Sequence, residues 1–248
     1  MAGRGTRTNE LGSFKPFIKV NGFSILEWLL LSLGVHVTEN CRFVFVTTQA
    51  YENEFKVRDT IRSSLERCGL YVPFDLVLAP DIPQGPAKSV ELALHALHGA
   101  EGPVTVVNVD QYIHFEVADN LAKTDLGYLP VYAEFSNKAS YVEVKESKIV
   151  RVVEKQNISN IASAGVYGVS SVDLFASMLK ELFDHGETVR GEFYVGPAFN
   201  FLVAQGTPVI PTAVQAKFDL GNLAGIAQFK RRLFHNSSQV SSQRFSVF

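Results

Sequence analysis

The sequence predicts an α/β protein: an open, mixed but mostly parallel sheet flanked by helices, with a small antiparallel extension. Three observations carry that expectation. Short apolar runs alternate with segments of helical spacing through the first hundred residues, the rhythm of right-handed βαβ units. After Asp110 the rhythm changes to strand-like runs joined by short turns, which reads as an antiparallel patch. The composition, 46% hydrophobic and 19% charged over 248 residues, suits an ordinary globule with a sizeable core.

In chain order, Ser24 caps a helix that runs to about Leu33, and RFVFVTT (42–48) follows as a buried strand. The stretch SILEWLLLSLGVHV is too short to span a bilayer and carries Glu27 and His36, so it reads as a core helix, with Trp28 in the core. YENEFKVRDTIRSSLERCG has helical spacing and stops at Gly69. FDLVLAP (74–80) is a second strand, QGPAKSVELALHALHG a loop and helix, and PVTVVNVD a third strand. LGYLPVYAEF, ASYVEVKES and KIVRVVEK form the antiparallel patch, and ASAGVYGVS adds a strand. SVDLFASMLKELFDHG and EFYVGPAFNFLVAQG read as helices ending on Gly186 and Gly206. TPVIPTAV and QAKFDLGN are extended, NLAGIAQFKRRLF is a last helix, and HNSSQVSSQRFSVF is polar and without periodicity until its end. This organisation is one domain over residues 1–234 with a loose tail over 235–248.

A net charge of -2 argues against a general nucleic-acid binder, while leaving room for a local basic pocket. Cys41 and Cys68 allow at most one disulfide and have no metal-ligand spacing, so a reducing cytoplasm is the simplest setting. No signal-peptide pattern opens the chain, and no membrane partner is expected. Glu91, His95 and His98 share a helix face, but no further ligand motif accompanies them, and a solvated face is the simpler reading. Lys230, Arg231 and Arg232 read as a basic run at a helix C-terminus.

The chemistry concentrates in three places. In MAGRGTR, Gly3 and Gly5 permit a backbone that turns successive N–H groups toward one anion. Arg7 adds a bidentate phosphate donor and Lys15 a point charge. The loop lacks the Lys-Ser/Thr of a Walker A motif and the spacing of a dinucleotide fingerprint. Second, Asp110 stands where a strand should end, a position from which a carboxylate can hold Mg²⁺ against phosphate oxygens. Third, KFDLGN places Asp219 between an extended segment and the last helix. Each alone also fits a surface turn or a helix cap. Together they suit metal-assisted phosphoryl or nucleotidyl transfer.

These segments, in this order, resemble the sugar-phosphate nucleotidyltransferase family over nearly the whole chain. MAGRGTR…KPFIKVNG is similar to its activating loop, QGPAKSVELAL to its base-side turn, and NVDQYI to its metal-binding strand end. VVEKQ is similar to its sugar site, and GEFYVGPAFN and FDLGNLAGI complete the set. The nearest branch is the one found in capsule and surface-polysaccharide gene clusters. The resemblance implies a Rossmann-like nucleotide-diphospho-sugar transferase fold and Mg²⁺ as cofactor. Its partners would be a nucleoside triphosphate and a phosphorylated sugar; oligomeric state, a homo-oligomer included, stays open.

By the same resemblance, Ala2, Gly3, Gly5 and Thr6 bind the nucleotide phosphates, Arg7 neutralises the leaving pyrophosphate, and Lys15 bridges to the α-phosphoryl group. Asp110 and Asp219 hold the metal, and Gln84 and Gly85 face the base. Glu154 and Lys155 grip the sugar phosphate, Gly165 lets ligand approach the backbone, and Glu192 contacts a hydroxyl. Val109, Pro86 and Lys88 depart from the family pattern, the last two in the base-side turn; Val109 and Pro86, with the abrupt start of the chain, keep a non-catalytic nucleotide-binding relative in view. In this fold a buried strand runs in front of the Gly-rich loop, whereas here the loop begins at Met1. The strand is therefore expected upstream, and without it core surface should be exposed.

Overall fold

The computed structural model describes residues 14–115 and 127–244, the last ten of these by backbone alone. Ala2, Gly3, Gly5, Thr6 and Arg7 lie outside the described residues.

Asn21 and Gly22 both take positive φ (48° and 85°) and close a two-residue hairpin between β1 (Lys19–Val20) and β2 (Phe23–Ser24), the turn that Asn-Gly favours. α1 (Ile25–Leu33) then starts on a capping box. Glu27 N donates to Ser24 Oγ at 3.1 Å, and Ser24 N donates to Glu27 Oε2 at 2.6 Å. The Glu27 carboxylate is buried, and Arg67 reaches it at 3.1 Å while also donating to the Gly22 carbonyl at 3.0 Å. One arginine thus ties hairpin and helix start together.

β3 (Phe43–Thr48) and β4 (Phe74–Ala79) pair in parallel along their whole length. The single helix expected between them is two, α2 (Gln49–Phe55) and α3 (Val57–Arg67). Lys56 adopts the left-handed conformation (φ 47°), and the Glu52 carboxylate accepts from Arg58 N at 3.0 Å, starting the second helix. α4 (Pro86–Ala96) packs over β3 and β4 and leads to β5 (Val104–Val107).

The large sheet is built from β5, β7 (Gly127–Ala133), β8 (Ser140–Lys145), β9 (Lys148–Glu154), β10 (Ile161–Ser163) and β11 (Val166–Val169), in the order β5-β11-β7-β10-β8-β9. β12 (Val209–Ala213) joins β7 in parallel. A separate ladder pairs β6 (Gln111–His114) with β13 (Ala216–Asp219). The architecture is α/β with a mixed sheet. Among the described residues the parallel pairs are β3 with β4 and β7 with β12; the other ladders are antiparallel, so the parallel share is smaller than expected. Tight turns explain this. Glu146 and Ser147, both at positive φ, fold β8 straight back onto β9, and Gly165 sits at the break between β10 and β11.

α5 (Val172–His185) covers the sheet with Phe175, Met178 and Leu179, packed against Leu129, Val142 and Phe199. EFYVGPAFN is not one helix. A 3₁₀ turn, Gly196–Phe199, precedes the short α6 (Asn200–Ala204), and residues 192–195 stand outside both. α7 (Leu223–Arg244) runs through the segment read as a loose tail. A helix already nucleated on apolar contacts lengthens at little cost even without periodicity. Lys230, Arg231 and Arg232 consequently lie exposed in mid-helix, where the dipole does not account for them. Trp28 is half-buried, donates to the Val20 carbonyl at 2.7 Å and meets Phe229 edge-on at 4.9 Å. Both cysteines are free, and burial pushes the Cys68 thiol up to about 11, which leaves it unreactive at neutral pH. Among the described residues no helix is long and apolar enough to cross a membrane.

Replacing Glu27 with alanine removes a cap and strands the Arg67 contact. The expected loss is about 1–3 kcal/mol of unfolding free energy in urea titrations. Arg67→Ala added to that background should cost little more, since both changes break one network.

Candidate functional site

Phe14 anchors the start of the site. Its ring is buried and lies 5.3 Å from Phe55 and 4.8 Å from Tyr51, a burial that stabilises by about 1.5–3 kcal/mol. The backbone entering Lys15 is thereby held against α2, and the 3₁₀ turn Lys15–Phe17 directs the lysine inward. Lys15 Nζ donates to Asp110 Oδ2 at 2.6 Å in a half-buried ion pair. Asp110 is not at the end of β5 itself but in the turn between β5 and β6.

Pairing of β13 with β6 sets Asp219 opposite Gln111, and Leu220 N donates to the Asp110 carbonyl at 2.8 Å. Asp110, in the turn just ahead of β6, and Asp219, at the end of β13, are therefore brought together. Asp219 Oδ1 accepts from Gly221 N at 2.7 Å, and Oδ2 from Asn222 Nδ2 at 2.6 Å. A Cβ added to Gly221 would stand 2.6 Å from Asp110 Oδ2, 2.7 Å from Lys15 Nζ and 2.8 Å from Asp219 Oδ1. Only glycine lets these three charged groups converge. The cradle already attracts a cation, the lysine ammonium, and its donors are hard oxygens. Two carboxylates that leave the remaining positions to phosphate and water are how proteins commonly hold Mg²⁺. Among the described residues no cluster of three or more potential metal-ligating side chains occurs, on the Glu91, His95 and His98 face included.

Gln84 and Gly85 reach the same space from α4. Gly85 has φ of 96°, and a Cβ there would come within 2.5 Å of the Phe193 carbonyl oxygen. The turn docks on that segment: Phe193 N donates to the Gln84 carbonyl and Ala87 N to the Phe193 carbonyl, both at 3.0 Å. Lys15, Gln84, Gly85, Asp110 and Glu192 all line one cavity of about 1730 Å³. The departures from family pattern have local explanations. Pro86 occupies the first turn of α4, where a missing N–H costs nothing. Lys88 is held by Glu91 at 3.0 Å and over the Phe183 ring at 3.4 Å. Val109 packs into two hydrophobic clusters.

Glu154 ends β9 and Lys155 follows it, and the two side chains have different partners. The Glu154 side chain is 4% exposed, accepts from Ser140 Oγ and stands 3.9 Å from Lys155 Nζ. Burial raises its pKa above the usual carboxylate range, more than Ser140 and Lys155 lower it, and Glu192 adds to the rise. Lys155, in a left-handed backbone conformation, donates to Tyr194 Oη and lies 3.8 Å above that ring. Tyr194 in turn donates to Glu192 Oε2 at 2.5 Å. Glu192 thus belongs both to the cavity wall and to a chain that holds Lys155. At Gly165 the space of a Cβ is filled by Asn108 and Gln111, and Asn108 N donates to the Gly165 carbonyl at 2.9 Å. This glycine brings β11 against the turn that carries Asp110.

Sequence reasoning did not single out Tyr194 or Lys217. Tyr194 gave no signal of its own, because a phenol inside GEFYVGPAFN looks like any core aromatic. Lys217 stands two residues before Asp219 on β13, hence on its face of the strand. Its ammonium lies 4.3 Å from the Tyr132 ring. Burial lowers its pKa, and Asp219, Asp110 and Glu134 oppose that shift. A cation alternating with the carboxylate along one strand was a readable signal.

No protein-family model matches the chain, and no curated protein sequence matches it. Solved structures do. A nucleoside-diphosphate-sugar pyrophosphorylase from Vibrio cholerae RC9 is 23% identical, with 93% of this chain and 98% of that one covered and a TM-score of 0.79. An apo UDP-glucose pyrophosphorylase is 16% identical over 95% of this chain and 96% of its own, at a TM-score of 0.69. The inositol-1-phosphate CTP transferase from T. maritima is 18% identical over 90% of this chain and 88% of its own, at 0.66. At these identities the likeness is one of fold, and it extends over nearly the whole chain.

The raised pKa of Glu154 has a consequence for stability. Its protonated form is favoured in the folded state, so its contribution is fully present below the ordinary value of 4.5 and is lost as pH rises through the elevated one. Thermal melting of Glu154→Gln across that window should show a shallower fall in Tm with pH than the parent protein. Parallel curves would remove the assignment.

Proposed function

We propose that the protein is a Mg²⁺-dependent nucleotidyltransferase that joins a nucleoside triphosphate to a sugar 1-phosphate, giving an NDP-sugar and pyrophosphate, in the service of surface-polysaccharide synthesis. The observation that supports this reading most is the convergence of Lys15, Asp110 and Asp219 around Gly221, with Lys15 and Asp110 in the cavity that Gln84, Gly85 and Glu192 also line. The fold shared with pyrophosphorylases and a cytidylyl-type transferase supports the same class, as does the resemblance of GEFYVGPAFN to the polysaccharide-cluster branch.

The reaction demands little acid–base chemistry. An oxygen of the sugar phosphate, already an anion, forms a bond to the α-phosphorus; the bond from that phosphorus to the bridging oxygen breaks, and its electron pair leaves with pyrophosphate. Catalysis then rests on alignment and charge neutralisation. Lys15 meets a phosphate oxygen arriving beside Asp110, and Asp110 and Asp219 are the residues that would hold Mg²⁺. Bound there, the ion supplies Lewis-acid neutralisation of the phosphate oxygens. Gln84 and Gly85 present the turn against which the base rests. Tyr194 and Glu192 position Lys155 for the phosphate of the acceptor, and Glu154 braces the strand end from its buried side. The likeness to an inositol-1-phosphate CTP transferase favours a second reading within the class, in which the acceptor is a phosphorylated alcohol that is not a sugar 1-phosphate.

Pyrophosphate release with each of four nucleoside triphosphates, Mg²⁺ and a panel of sugar 1-phosphates and other phosphorylated alcohols tests both readings. Turnover with one base and acceptor is the expected result, abolished by EDTA. Nucleotide binding without turnover for any pair would favour a non-catalytic relative. Asp110→Ala and Lys15→Ala should each lower kcat/KM by about 10²–10³-fold, and full activity in either would dismantle the site. Tyr194→Phe should raise KM for the phosphorylated acceptor by about fivefold to tenfold while kcat changes less, as loss of a positioning hydrogen bond predicts.

A further inference from the structure

Strand β13 presents two side chains of opposite charge on one face. Lys217 stands opposite Ile113 of β6, and Asp219 opposite Gln111, so both leave the ladder in the same direction. Residues two apart on a strand are separated by about 6.5–7 Å, within reach of a lysine side chain. The half-buried Lys217 ammonium nevertheless closes no ion pair and donates no hydrogen bond among the described residues. It rests 4.3 Å from the centroid of the Tyr132 ring. A ring attracts a cation through its quadrupole but leaves the three N–H donors of an ammonium without an oxygen. Tyr132 is itself fixed: its Oη donates to Glu134 Oε2 at 2.7 Å, and it stands beside Ala162 and Tyr141 across β7, β10 and β8. Glu134 is engaged as well, its Oε1 accepting from Phe135 N at 2.9 Å and Ser136 N at 2.8 Å. Burial disfavours the Lys217 charge, while Asp219, Asp110 and Glu134 favour it. The cation is therefore near both carboxylates of the cradle and bonded to neither.

We propose that Lys217 is a further phosphate-binding residue: from its platform on Tyr132 it donates to a phosphate oxygen on the Asp219 side of the cradle, as Lys15 does on the Asp110 side. This rests on the reading of the cradle as a nucleotidyltransferase site. That reaction gathers the three phosphates of a nucleoside triphosphate and the phosphate of the acceptor around two carboxylates. Mg²⁺, Arg7, Lys15 and Lys155 leave negative charge there without a counter-charge, and a further cation lowers the cost of bringing the phosphates together. Lys15 is tied to Asp110, and Lys155 donates to Tyr194. Lys217 keeps its donors unengaged among the described residues, and a ring contact is surrendered to an anion more readily than an ion pair. Phosphate oxygens of two origins have the chemistry it accepts, those of the triphosphate and those of the acceptor, and the test separates them.

The test is calorimetric titration of the full chain, with Mg²⁺ present, using tripolyphosphate as probe for the triphosphate and inorganic phosphate as probe for the acceptor. Lys217→Met and Lys217→Gln should each weaken one or both probes by about tenfold or more, and the probe that loses more identifies the source. Lys217→Arg, which keeps the charge and stacks on the same ring, should stay within about threefold of the parent. Tyr132→Leu removes the platform and should weaken the same probe as Lys217→Met. Thermal melting checks that each variant is folded, and Lys217→Met should melt no lower than the parent, since it removes a charge that has no ion pair. Mn²⁺ titrations without phosphate separate contact from support: loss of a neighbouring cation leaves Mn²⁺ affinity unchanged or tighter. Weaker Mn²⁺ binding in Lys217→Met would make the lysine a prop for Asp219 and overturn the proposal. Parent affinity for both probes in folded Lys217→Met and Lys217→Gln would overturn it too, as would a parent protein that binds neither probe. Turnover is not read, so a protein inactive with every substrate pair loses the proposed reaction without deciding the role of Lys217.

Discussion

The ladder between β6 and β13 is the constraint on which the site depends. These strands are a hundred residues apart in sequence, yet their register places Asp219 opposite Gln111 and hands the Asp110 carbonyl a hydrogen bond from Leu220. Without that register two carboxylates would belong to unrelated loops. With it they share one space, limited only by Gly221, and a lysine from the other end of the chain enters to neutralise them. Like charges held this close are costly unless a cation accompanies them, which explains why Lys15 is drawn onto Asp110 and why the same cradle suits a divalent ion.

Around that centre the molecule spends its local irregularities on positioning. Gly85 takes a conformation few residues adopt so that Gln84 can dock on Phe193, and this docking places Glu192 in the cavity wall. Glu192 then anchors Tyr194, and Tyr194 holds Lys155. The turn at Gln84–Gly85 and Lys155 are therefore linked through three consecutive residues. Glu154, next to Lys155, is turned inward and enclosed, so of a pair that looks equivalent in sequence only Lys155 reaches Tyr194.

Most of the elements were legible because their causes are local. The apolar runs of β3, β4, β8 and β9 and the stop at Gly186 are each written within a few residues. The errors came where a local pattern admitted two outcomes. Helical spacing over residues 51–69 did not show the corner at Lys56, since a left-handed lysine leaves no mark on periodicity. EFYVGPAFN read as a helix because apolar residues recur in it, but Phe193 pairs its backbone with Gln84 and Ala87 instead, and residues 192–195 stay outside any helix. The polar end of α7 had no periodicity to read, and helix propagation needs none.

By itself the sequence determined the α/β class, most strand and helix positions, and the residue types able to meet phosphate and metal, because propensity, capping and side-chain chemistry act over short stretches. Tertiary structure alone decided which strands pair, that Asp110 and Asp219 meet over Gly221, and that Lys155 is held through Tyr194. These depend on contacts between residues far apart in the chain, and such contacts are set by how helices and strands fill space together, which no short stretch of sequence records.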